Sequence, residues 1–346
     1  MGRGNGDIYG SHRVLHPRDA FPQAPVQLDV SLPIYANEIL IRVERLNIDS
    51  ASFHQLWKAS HQREPEMKRQ IQEIVKLHGK MHNPVTNSGG TLLGTVQEVG
   101  KNVTGKGFVP GDRLATLVSL TLTPLHLDEV LKIDPNREQI DVKGHAILFE
   151  SGIAHRPPPD FSESATLAIF DVCGAPALVS HLVRVGDAVV ILGAGKAGLL
   201  VAAEARKKTG KGGKVFVLEK DPAALSAAKA LPFLSALLPV DLTQPRQALK
   251  VVTEATGARM ADLVVNCVNV PGTEMASILA AKRSGTVVFF NMATSFQAAV
   301  LGAEGIGHET RLIMGNGYSP GHAELALNLV RESSELREWF EKRFGK

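Results

Sequence analysis

The sequence predicts a two-domain α/β protein, in which a β-rich domain precedes a doubly wound domain built on a parallel sheet. Three observations predict this fold class. The chain has 346 residues, which is too long for one ordinary domain and suits two. Short strand-like segments bounded by glycines dominate the first 155 residues. Beyond them, apolar strands alternate with helices, as in doubly wound parallel sheets. We therefore expect a first domain over residues 1–155, joined by a returning helix over 321–346, and a second domain over 156–320.

The composition excludes several classes of protein. Hydrophobic residues make up 44% and charged residues 21%, as in a soluble globular protein. The net charge is +3 with the basic residues spread along the chain, so no electrostatic footprint for nucleic acid exists. The N-terminus has no apolar run and no stretch reaches about 18 apolar residues, so we expect neither a signal peptide nor a membrane span. Cys173 and Cys267 lie far apart and outside any CxxC pattern, which excludes a four-cysteine zinc site and suits a reducing cytoplasm.

In the first domain, three segments have the pattern of strands. The residues "EILIRVERLN" alternate in polarity, and "TLLGTVQEVG" and "GDRLATLVSL" are short apolar runs bounded by glycines. Between the first two of these strands lies a charged insert in which residues 66–77 place Met67, Ile71, Ile74 and Val75 on one helical face.

The second domain begins with an apolar strand at Ala188–Leu192, followed by a glycine turn and an Ala-rich helix. Further apolar strands are predicted in "GKVFVLEKD", "LPVDL", "ADLVVNCVNV", "GTVVFFNMA" and "RLIMGNGY", with helices at "DPAALSAAKAL" and around residues 247–256. One amphipathic helix is expected from about Ala323 to Phe344.

A glycine-rich turn predicts a dinucleotide site. Gly193, Gly195 and Gly198 form the pattern GxGxxG between the strand and the helix that it requires. The first glycine allows the tight turn, the second lets the backbone approach a pyrophosphate, and the third lets helix and strand pack closely. The helix N-terminus supplies free N–H groups for the phosphates. We expect the whole turn to bind the cofactor: Gly193, Ala194, Gly195, Lys196, Ala197 and Gly198.

Two charged residues leave the choice between NAD and NADP open. Glu219 ends the second strand of this domain, where an acid accepts hydrogen bonds from the ribose hydroxyls of NAD. The adjacent Lys220 could bind a 2′-phosphate if Glu219 turned away. Polar side chains after two later strands are candidates for the nicotinamide half, with loop capping as the alternative: Asn266, Asn269, Asn291 and Thr294.

The order of the domains resembles that of the medium-chain dehydrogenase/reductase superfamily, which implies a GroES-like catalytic domain followed by a Rossmann domain. Several unusual strings are similar to a family within that architecture, the L-erythro-3,5-diaminohexanoate dehydrogenases: "KMHNPVTNSGGTLLGTV", "GDRLATLVSLTLTPL", "AILFESGIA", "NCVNVPGTEMASIL" and "FFNMATSFQAAVLGAEGIG". The resemblance implies an oxidative deamination in lysine fermentation, in which the diamino acid, water and NAD(P)⁺ give 5-amino-3-oxohexanoate, ammonium and NAD(P)H.

One segment departs from the zinc-dependent members of that superfamily. Where they place a Gly-His-Glu that serves the catalytic metal, this chain has Ser88, Gly89, Gly90 and Thr91. An alcohol needs a Lewis acid to stabilise an alkoxide, whereas oxidation of an amine does not pass through one. We therefore expect no zinc, and we expect the backbone donors of this segment to face a charged substrate, unless the glycines only serve the turn into the following strand.

The amine at C3 must lose a proton before hydride leaves, so a general base is required. Glu150 or Asp49 is our candidate for the base or for an ammonium anchor, although Asp49 could instead cap a helix and Glu150 could form an interdomain ion pair. Lys80, or the N–H groups near Ser88, would hold the substrate carboxylate, unless Lys80 is only solvated. Other residues are expected to line the same site: Ser50, Asn83, Thr86, Ser88, Gly89, Gly90 and Ser151.

Two other functions remain open from the sequence. A zinc-free quinone or enoyl reductase would use the same scaffold, and a dinucleotide-binding redox sensor would not be an enzyme. The acidic and amide residues of the candidate site favour the amine dehydrogenase. We also expect a homodimer, because the apolar last strand "RLIMGNGY" would otherwise leave an unprotected sheet edge.

Overall fold

The computed structural model describes residues 3–23 and 27–345 and divides into two compact units. The first comprises residues 1–171 with 343–346, and the second comprises 172–342. The boundary thus lies some way beyond residue 155. Of the C-terminal segment that we expected to join the first domain, only the last four residues do so.

The first unit is built around a six-stranded antiparallel sheet with strand order β6-β7-β3-β4-β5-β8 and a separate two-stranded ribbon, β1-β2. Its elements in chain order are β1 (Val14–His16), β2 (Gln27–Leu28), β3 (Ile39–Asn47), α1 (Ser50–Ala59), α2 (Glu64–His78), β4 (Thr91–Val99), β5 (Arg113–Thr116), β6 (Leu125–Asp134), β7 (Gln139–Leu148), β8 (Ala154–His155) and α3 (Glu163–Phe170).

Strand β3 lies in the centre of this sheet, between β7 and β4, and most of its side chains are buried. It begins and ends close to its predicted bounds, as do β4 and α2. The third predicted strand is shorter than "GDRLATLVSL", since β5 ends at Thr116. The long β6–β7 hairpin was not among the predicted elements, because its burial pattern is interrupted by bulges and exposed charges.

The second unit has a six-stranded sheet with strand order β11-β10-β9-β12-β13-β14, all parallel. Numbered within this sheet, the order is 3-2-1-4-5-6, which is that of a doubly wound dinucleotide-binding fold. Its elements are α4 (Gly174–Ser180), β9 (Ala188–Leu192), α5 (Lys196–Thr209), β10 (Lys214–Glu219), α6 (Pro222–Ala228), β11 (Ala236–Pro239), α7 (Pro245–Thr256), β12 (Ala261–Asn266), α8 (Glu274–Ala280), β13 (Ala281–Phe289), α9 (Phe296–Gly305), β14 (Arg311–Met314), α10 (His322–Glu332) and α11 (Ser334–Phe344).

The carboxyl ends of β9, β10 and β12 meet at the point where the strand order reverses. Ligands of open α/β sheets bind at this switch point. The glycine turn after β9, Glu219 at the end of β10 and Asn266 at the end of β12 all lie there.

The C-terminal segment forms two helices rather than the single helix predicted from Ala323. Ser333 has an extended backbone, with φ −126° and ψ 112°, and separates α10 from α11. Helix α10 packs against α4 and α5, which explains why it belongs to the second unit. No single helix in the described part of the chain is long and apolar enough to span a membrane.

Candidate active site

The glycine turn of the second unit has the geometry that its sequence predicts. Gly193 has a φ of +100°, a region that favours glycine, and its N–H donates to Leu218 O at 2.8 Å. A Cβ on Gly198 would lie 1.9 Å from Gly193 O, so only glycine lets α5 pack this closely on the turn.

Gly195 differs from these two glycines because a Cβ built on it would meet no protein atom within 4 Å. Its φ of −81° also suits any residue. The space in front of this residue is therefore open to a ligand. Helix α5 begins directly after it and has no side-chain cap, which leaves N–H groups of its first turn for an anion. These features suit the pyrophosphate of a dinucleotide.

The carboxylate of Glu219 is fixed by backbone donors. Its Oε2 accepts from the N–H of Ala194 at 3.0 Å, and its Oε1 accepts from Lys220 N at 2.8 Å and Asp221 N at 2.9 Å. The ammonium of Lys220 lies 3.4 Å from Asp241 Oδ2. The acid therefore stays beside the glycine turn, while the neighbouring cation is drawn toward a second acid.

The predicted nicotinamide residues form a network among themselves. Asn266 is 0% exposed and donates to Thr273 and Ser277, both at 2.9 Å. Asn291 donates to Asn266 O at 3.2 Å and accepts from Thr294 Oγ1 at 2.9 Å. These three side chains therefore cap and join the loops after β12 and β13, as our alternative expected.

Asn269 alone among the four predicted nicotinamide residues is exposed.

In the first unit, Asp49 caps α1. Its Oδ1 accepts from Ser52 N at 3.0 Å, and its Oδ2 accepts from Ser88 Oγ at 2.6 Å. The capping role that we held open is thus present, and α1 begins at Ser50. Each carboxylate oxygen keeps a further lone pair, so capping does not prevent contact with an amine.

The loop after α2 docks on one flank of α1 through predicted site residues. Thr86 Oγ1 lies 2.5 Å from Ser52 Oγ, and Asn83 Nδ2 donates to Gln55 Oε1 at 2.9 Å. Asn83 Oδ1 also accepts from Val85 N at 2.8 Å, which fixes the turn of the loop. The structure thus brings Asn83, Thr86 and the Asp49–Ser88 pair together, and most of their hydrogen bonds are to one another.

Gly89 and Gly90 are buried, and the chain itself explains why they are glycines. A Cβ on Gly90, whose φ is +104°, would lie 1.9 Å from Asn47 O. A Cβ on Gly89 would lie 2.5 Å from Met81 O. The close approach that requires these glycines is therefore to backbone, and not to the substrate that the sequence led us to expect.

Glu150 lies at the other end of β3 from Asp49. Its Oε2 accepts from Asn37 Nδ2 at 2.9 Å, and Asn37 precedes β3 whereas Asp49 follows it. A strand of that length spans on the order of 25 Å. The two acids cannot contact the same small substrate. The neighbouring Ser151 is exposed, and its N–H donates to Ile8 O at 3.0 Å.

Lys80 is 0% exposed, so it is not a solvated lysine. Its Nζ donates to Pro22 O at 2.7 Å. Burial lowers the pKa of this ammonium to about 8. The group that we expected to hold the substrate carboxylate is thus bonded to the N-terminal segment of its own chain.

Sequence patterns missed a second acid beside α1. Glu138 follows the turn between β6 and β7, and its Oε2 accepts from Ser50 Oγ at 2.6 Å. Its Oε1 lies 3.6 Å from His54 Nδ1. The backbone φ of Glu138 is +61°, which is unusual for a residue other than glycine. That angle cannot be read from a sequence, so no sequence pattern pointed to Glu138.

Comparisons with known proteins agree with this architecture. The N-terminal domain model of L-erythro-3,5-diaminohexanoate dehydrogenase matches residues 12–158. A protein of that name from Acetoanaerobium sticklandii is 44% identical over 338 residues, which cover 97% of this chain and 98% of that protein. Another from Fusobacterium nucleatum subsp. nucleatum is 46% identical over 334 residues, covering 96% of this chain and 97% of that protein.

The chain belongs to the L-erythro-3,5-diaminohexanoate dehydrogenase family.

Solved structures similar to this member of the family have the medium-chain dehydrogenase fold. An alcohol dehydrogenase from Thermotoga maritima superposes with a TM-score of 0.56 at 15% identity, covering 92% of this chain and 86% of that one. A zinc-dependent alcohol dehydrogenase from Streptococcus pneumonia gives 0.55 at 16% identity, covering 91% and 85%. At such identities the likeness concerns the fold alone.

In this diaminohexanoate dehydrogenase family member, no group of three or more His, Cys, Asp or Glu side chains among residues 3–23 and 27–345 could hold a metal ion. At the segment that we compared with a zinc site, the side-chain groups are the hydroxyl of Ser88 and the carboxylate of Asp49, which bond to each other at 2.6 Å. This donor set is unlike the sulfur and imidazole ligands of zinc sites in dehydrogenases.

Proposed function

We propose that this chain catalyses the NAD-dependent oxidative deamination of L-erythro-3,5-diaminohexanoate at C3, giving 5-amino-3-oxohexanoate and ammonium. The identity of 44–46% to two proteins of that name, over nearly the whole of each chain, carries the proposal. The open space in front of Gly195 also supports the proposal, since oxidation needs a bound dinucleotide. The second unit would bind the dinucleotide, and the first unit would supply the groups that handle the amine.

The turn from Gly193 to Gly198 would hold the dinucleotide, which would supply the hydride acceptor for oxidation at C3. Before that step the C3 ammonium must give up a proton, because a protonated amine has no lone pair with which to expel hydride. Asp49 is our proposal for the base, since its carboxylate is oriented by Ser52 N and Ser88 Oγ and retains lone pairs. Water then adds at C3 and ammonium leaves.

Our two other polar candidates are less suited to this step. Glu150 bonds to Asn37 at the far end of β3, and Lys80 is buried against Pro22 O. We therefore propose that Asn83, Thr86 and Ser88 position Asp49 and the helix that it caps. We also propose that no zinc takes part, because the side chains around Asp49 offer hydroxyl and amide groups.

We propose NAD rather than NADP as the cofactor. Three backbone N–H groups hold the Glu219 carboxylate beside the glycine turn, so it cannot turn away to admit a 2′-phosphate. Asp241 draws the ammonium of Lys220 and adds a second negative charge beyond the acid. Two carboxylates near one ribose disfavour a phosphate by like-charge repulsion.

The test uses purified protein with 3,5-diaminohexanoate and either NAD⁺ or NADP⁺, followed at the absorbance of the reduced nicotinamide. We expect reduction of NAD⁺, little reduction of NADP⁺ and no loss of activity after treatment with a chelator. Failure to reduce either cofactor would sink the proposed function. NAD(P)H-dependent reduction of quinones, without amine oxidation, would favour the reductase alternative instead.

The substitution Gly195→Ala tests the proposed cofactor site separately from the stability of the fold. Because the added methyl group meets no protein atom, we expect the thermal midpoint of the free protein to stay unchanged. The same methyl group would occupy the space in front of α5, so we expect the affinity for NAD to fall by about tenfold or more. Unchanged NAD affinity would contradict the placement of the pyrophosphate.

We propose a homodimer formed through the β14 edge. This strand pairs with β13 on one side only, and α9 nearby in sequence exposes Phe296 by 67% and Leu301 by 64%. Unpaired strand edges and exposed apolar side chains favour self-association. Leu301→Glu should sediment as a monomer, whereas Leu77→Glu, at an equally exposed leucine of the first unit, should leave the dimer intact. A wild-type monomer at micromolar concentration would refute the proposal.

A further inference from the structure

Two buried polar side chains, at the end of β3 and the start of β4, each have an atom without a partner in the described part of the chain. Asn47 is 0% exposed and its Nδ2 accepts or donates no hydrogen bond there. Thr91 is 5% exposed and its Oγ1 has no partner there either. Leaving a buried polar atom unpaired costs free energy, so such atoms in native proteins almost always bind another group. The two atoms therefore point to a bound molecule.

The two unpaired atoms lie on one face of the sheet and turn toward each other. Asn47 is the direct cross-strand partner of Thr91 on β4 and of Gln139 on β7, and β3 lies between those two strands. Directly opposite side chains share a face, with their Cβ atoms about 5 Å apart. Gln139 Nε2 donates to Asn47 Oδ1 at 3.2 Å, so the oxygen of the Asn47 amide is on the β7 side. Its Nδ2 is consequently on the side of Thr91.

Ser164 of α3 fixes the orientation of both amides. Gln139 Nε2 also donates to Ser164 O at 2.8 Å, and Gln139 Oε1 accepts from Ser164 Oγ. The end of Gln139 that faces Asn47 is thus its NH₂ group, which can meet only an acceptor. The Asn47 amide cannot be turned over without losing this bond, so its unpaired donor stays directed at Thr91.

A single water molecule suits the space between these two atoms. With contacts of about 2.8 Å at each end, one water joins atoms up to about 5.6 Å apart, which fits side chains whose Cβ atoms are about 5 Å apart. Asn47 Nδ2 would donate to the water oxygen, and Thr91 Oγ1 would accept one of its hydrogens. The water would then keep one lone pair and one hydrogen for a reaction.

The proposed base lies beside this position. Asp49 is two residues after Asn47, so their Cα atoms are at most about 7 Å apart. Gly90, which precedes Thr91, approaches both of them, since a Cβ on it would lie 1.9 Å from Asn47 O and 2.9 Å from Asp49 N. Ser88 of the same segment donates to Asp49 Oδ2 at 2.6 Å. The unpaired atoms and the carboxylate thus belong to two adjacent segments, 47–49 and 88–91.

We propose that Asn47 and Thr91 position the water that adds at C3. This inference rests on the proposed function and assigns residues to its hydrolytic step. Loss of hydride leaves an iminium at C3, and by then Asp49 has released the amine proton to solvent. The water oxygen bonds to C3 as the C=N π electrons move to nitrogen, and a water proton passes to Asp49. The nitrogen takes up that proton and leaves as ammonia with the C–N electrons, and the hydroxyl proton passes to it as C=O forms.

A high-resolution crystal structure of the free protein tests the water itself. We expect an ordered water within about 3.2 Å of both Asn47 Nδ2 and Thr91 Oγ1, and we expect it to be absent from Thr91→Val. A wild-type structure in which no water bonds to either atom would overturn the inference.

Single turnovers with enzyme in excess over 3,5-diaminohexanoate test the role of the water. NADH formation is followed by absorbance, and quenching with borodeuteride converts remaining iminium to deuterated diamine and ketone to deuterated alcohol. In Thr91→Val we expect NADH to form within about threefold of the wild-type rate, while iminium decays about tenfold more slowly. Thr91→Ser keeps the hydroxyl and should restore the wild-type decay.

Thr116→Val is the matched control. It also removes a buried hydroxyl, which accepts from Leu92 N at 3.1 Å beside Thr91, and it should change neither rate by more than about threefold. Equal slowing of both steps in Thr91→Val would show a structural role only, and slowing of neither would show that this water does not react. Should Thr91→Val fail to fold, Thr91→Ala carries the same expectation. A wild type that forms no NADH defeats the proposed function itself, whereas an active wild type with unaltered iminium decay in the variants defeats only the role of Asn47 and Thr91.

Discussion

Replacement of Glu38 by glutamine should destabilise the first unit by about 3 kcal/mol at pH 7. Glu38 is 1% exposed, and its two oxygens accept from Arg13 Nε and Nη2, both at 2.6 Å. Burial alone would raise the pKa of this carboxyl. Hydrogen bonds from Arg13 and His12, the charge of Arg13 and the N–H of Tyr35 outweigh burial and lower the pKa to about 2, from an ordinary value of 4.5.

That difference of pKa sets both the magnitude and the pH window. A shift of about 2.5 units corresponds to about 3 kcal/mol, since each unit is worth 1.36 kcal/mol. The folded state binds fewer protons than the unfolded state between these two pKa values. The stabilisation by Glu38 is therefore complete above about pH 4.5 and is lost as the pH falls toward 2.

Urea unfolding followed by Trp57 fluorescence measures the effect. Trp57 lies in α1 of the first unit and Trp339 lies in α11, so a Trp339→Phe background makes the signal specific to the first unit. The difference in unfolding free energy between Glu38 and Glu38→Gln should shrink from pH 6 to pH 3. Glu129→Gln, which removes an exposed partner of Lys143, should change the free energy by less than about 1 kcal/mol. A Glu38→Gln effect that is below 1 kcal/mol, or constant over this range, would refute the reasoning.

Three further substitutions test other contacts. Gly198→Ala should abolish tight NADH binding in a fluorescence titration, because its Cβ would lie 1.9 Å from Gly193 O and push α5 off the turn; normal binding would count against that geometry. Gly90→Ala places a Cβ 1.9 Å from Asn47 O and should destabilise the first unit by on the order of 3 kcal/mol, and a wild-type urea midpoint would contradict this. Because burial lowers the pKa of Lys80 to about 8, the unfolded state binds more protons above that pH. The stability of the wild type relative to Lys80→Met should therefore rise from pH 8 to pH 10, and parallel pH profiles would show that the ammonium is not desolvated.

The glycine turn after β9 could be predicted because its determinants are local. The turn from Gly193 to Gly198 lies within six consecutive residues, and the strand before it and the helix after it are visible as sequence patterns. The fixed order of strands in a doubly wound sheet then brings Glu219 to the same point. The roles assigned to Gly193 and Gly198 match the positive φ of Gly193 and the short distance from a Cβ on Gly198 to Gly193 O.

The positions of the residues proposed to handle the amine depended on contacts between distant segments. Asp49 and Glu150 are both acids after an apolar strand, and only the register of β3 against β7 shows that they lie at opposite ends of the sheet. The sequence around Lys80 suits solvent and substrate equally, and only packing of the N-terminal segment buries this lysine against Pro22. The positions of these side chains depend on packing between distant segments, which composition and local residue spacing do not reveal.

By itself, the sequence determined the two-domain α/β class, the dinucleotide turn and the resemblance that the family comparison later confirmed. These depend on short-range geometry and on strings of residues that can be recognised directly. Only the tertiary structure decided which distant side chains meet, because Ser50 and Glu138 are 88 positions apart and come together through the pairing of β3 with β7. Antiparallel pairing joins segments by register and not by sequence distance, so contacts of this kind become visible only in the folded chain.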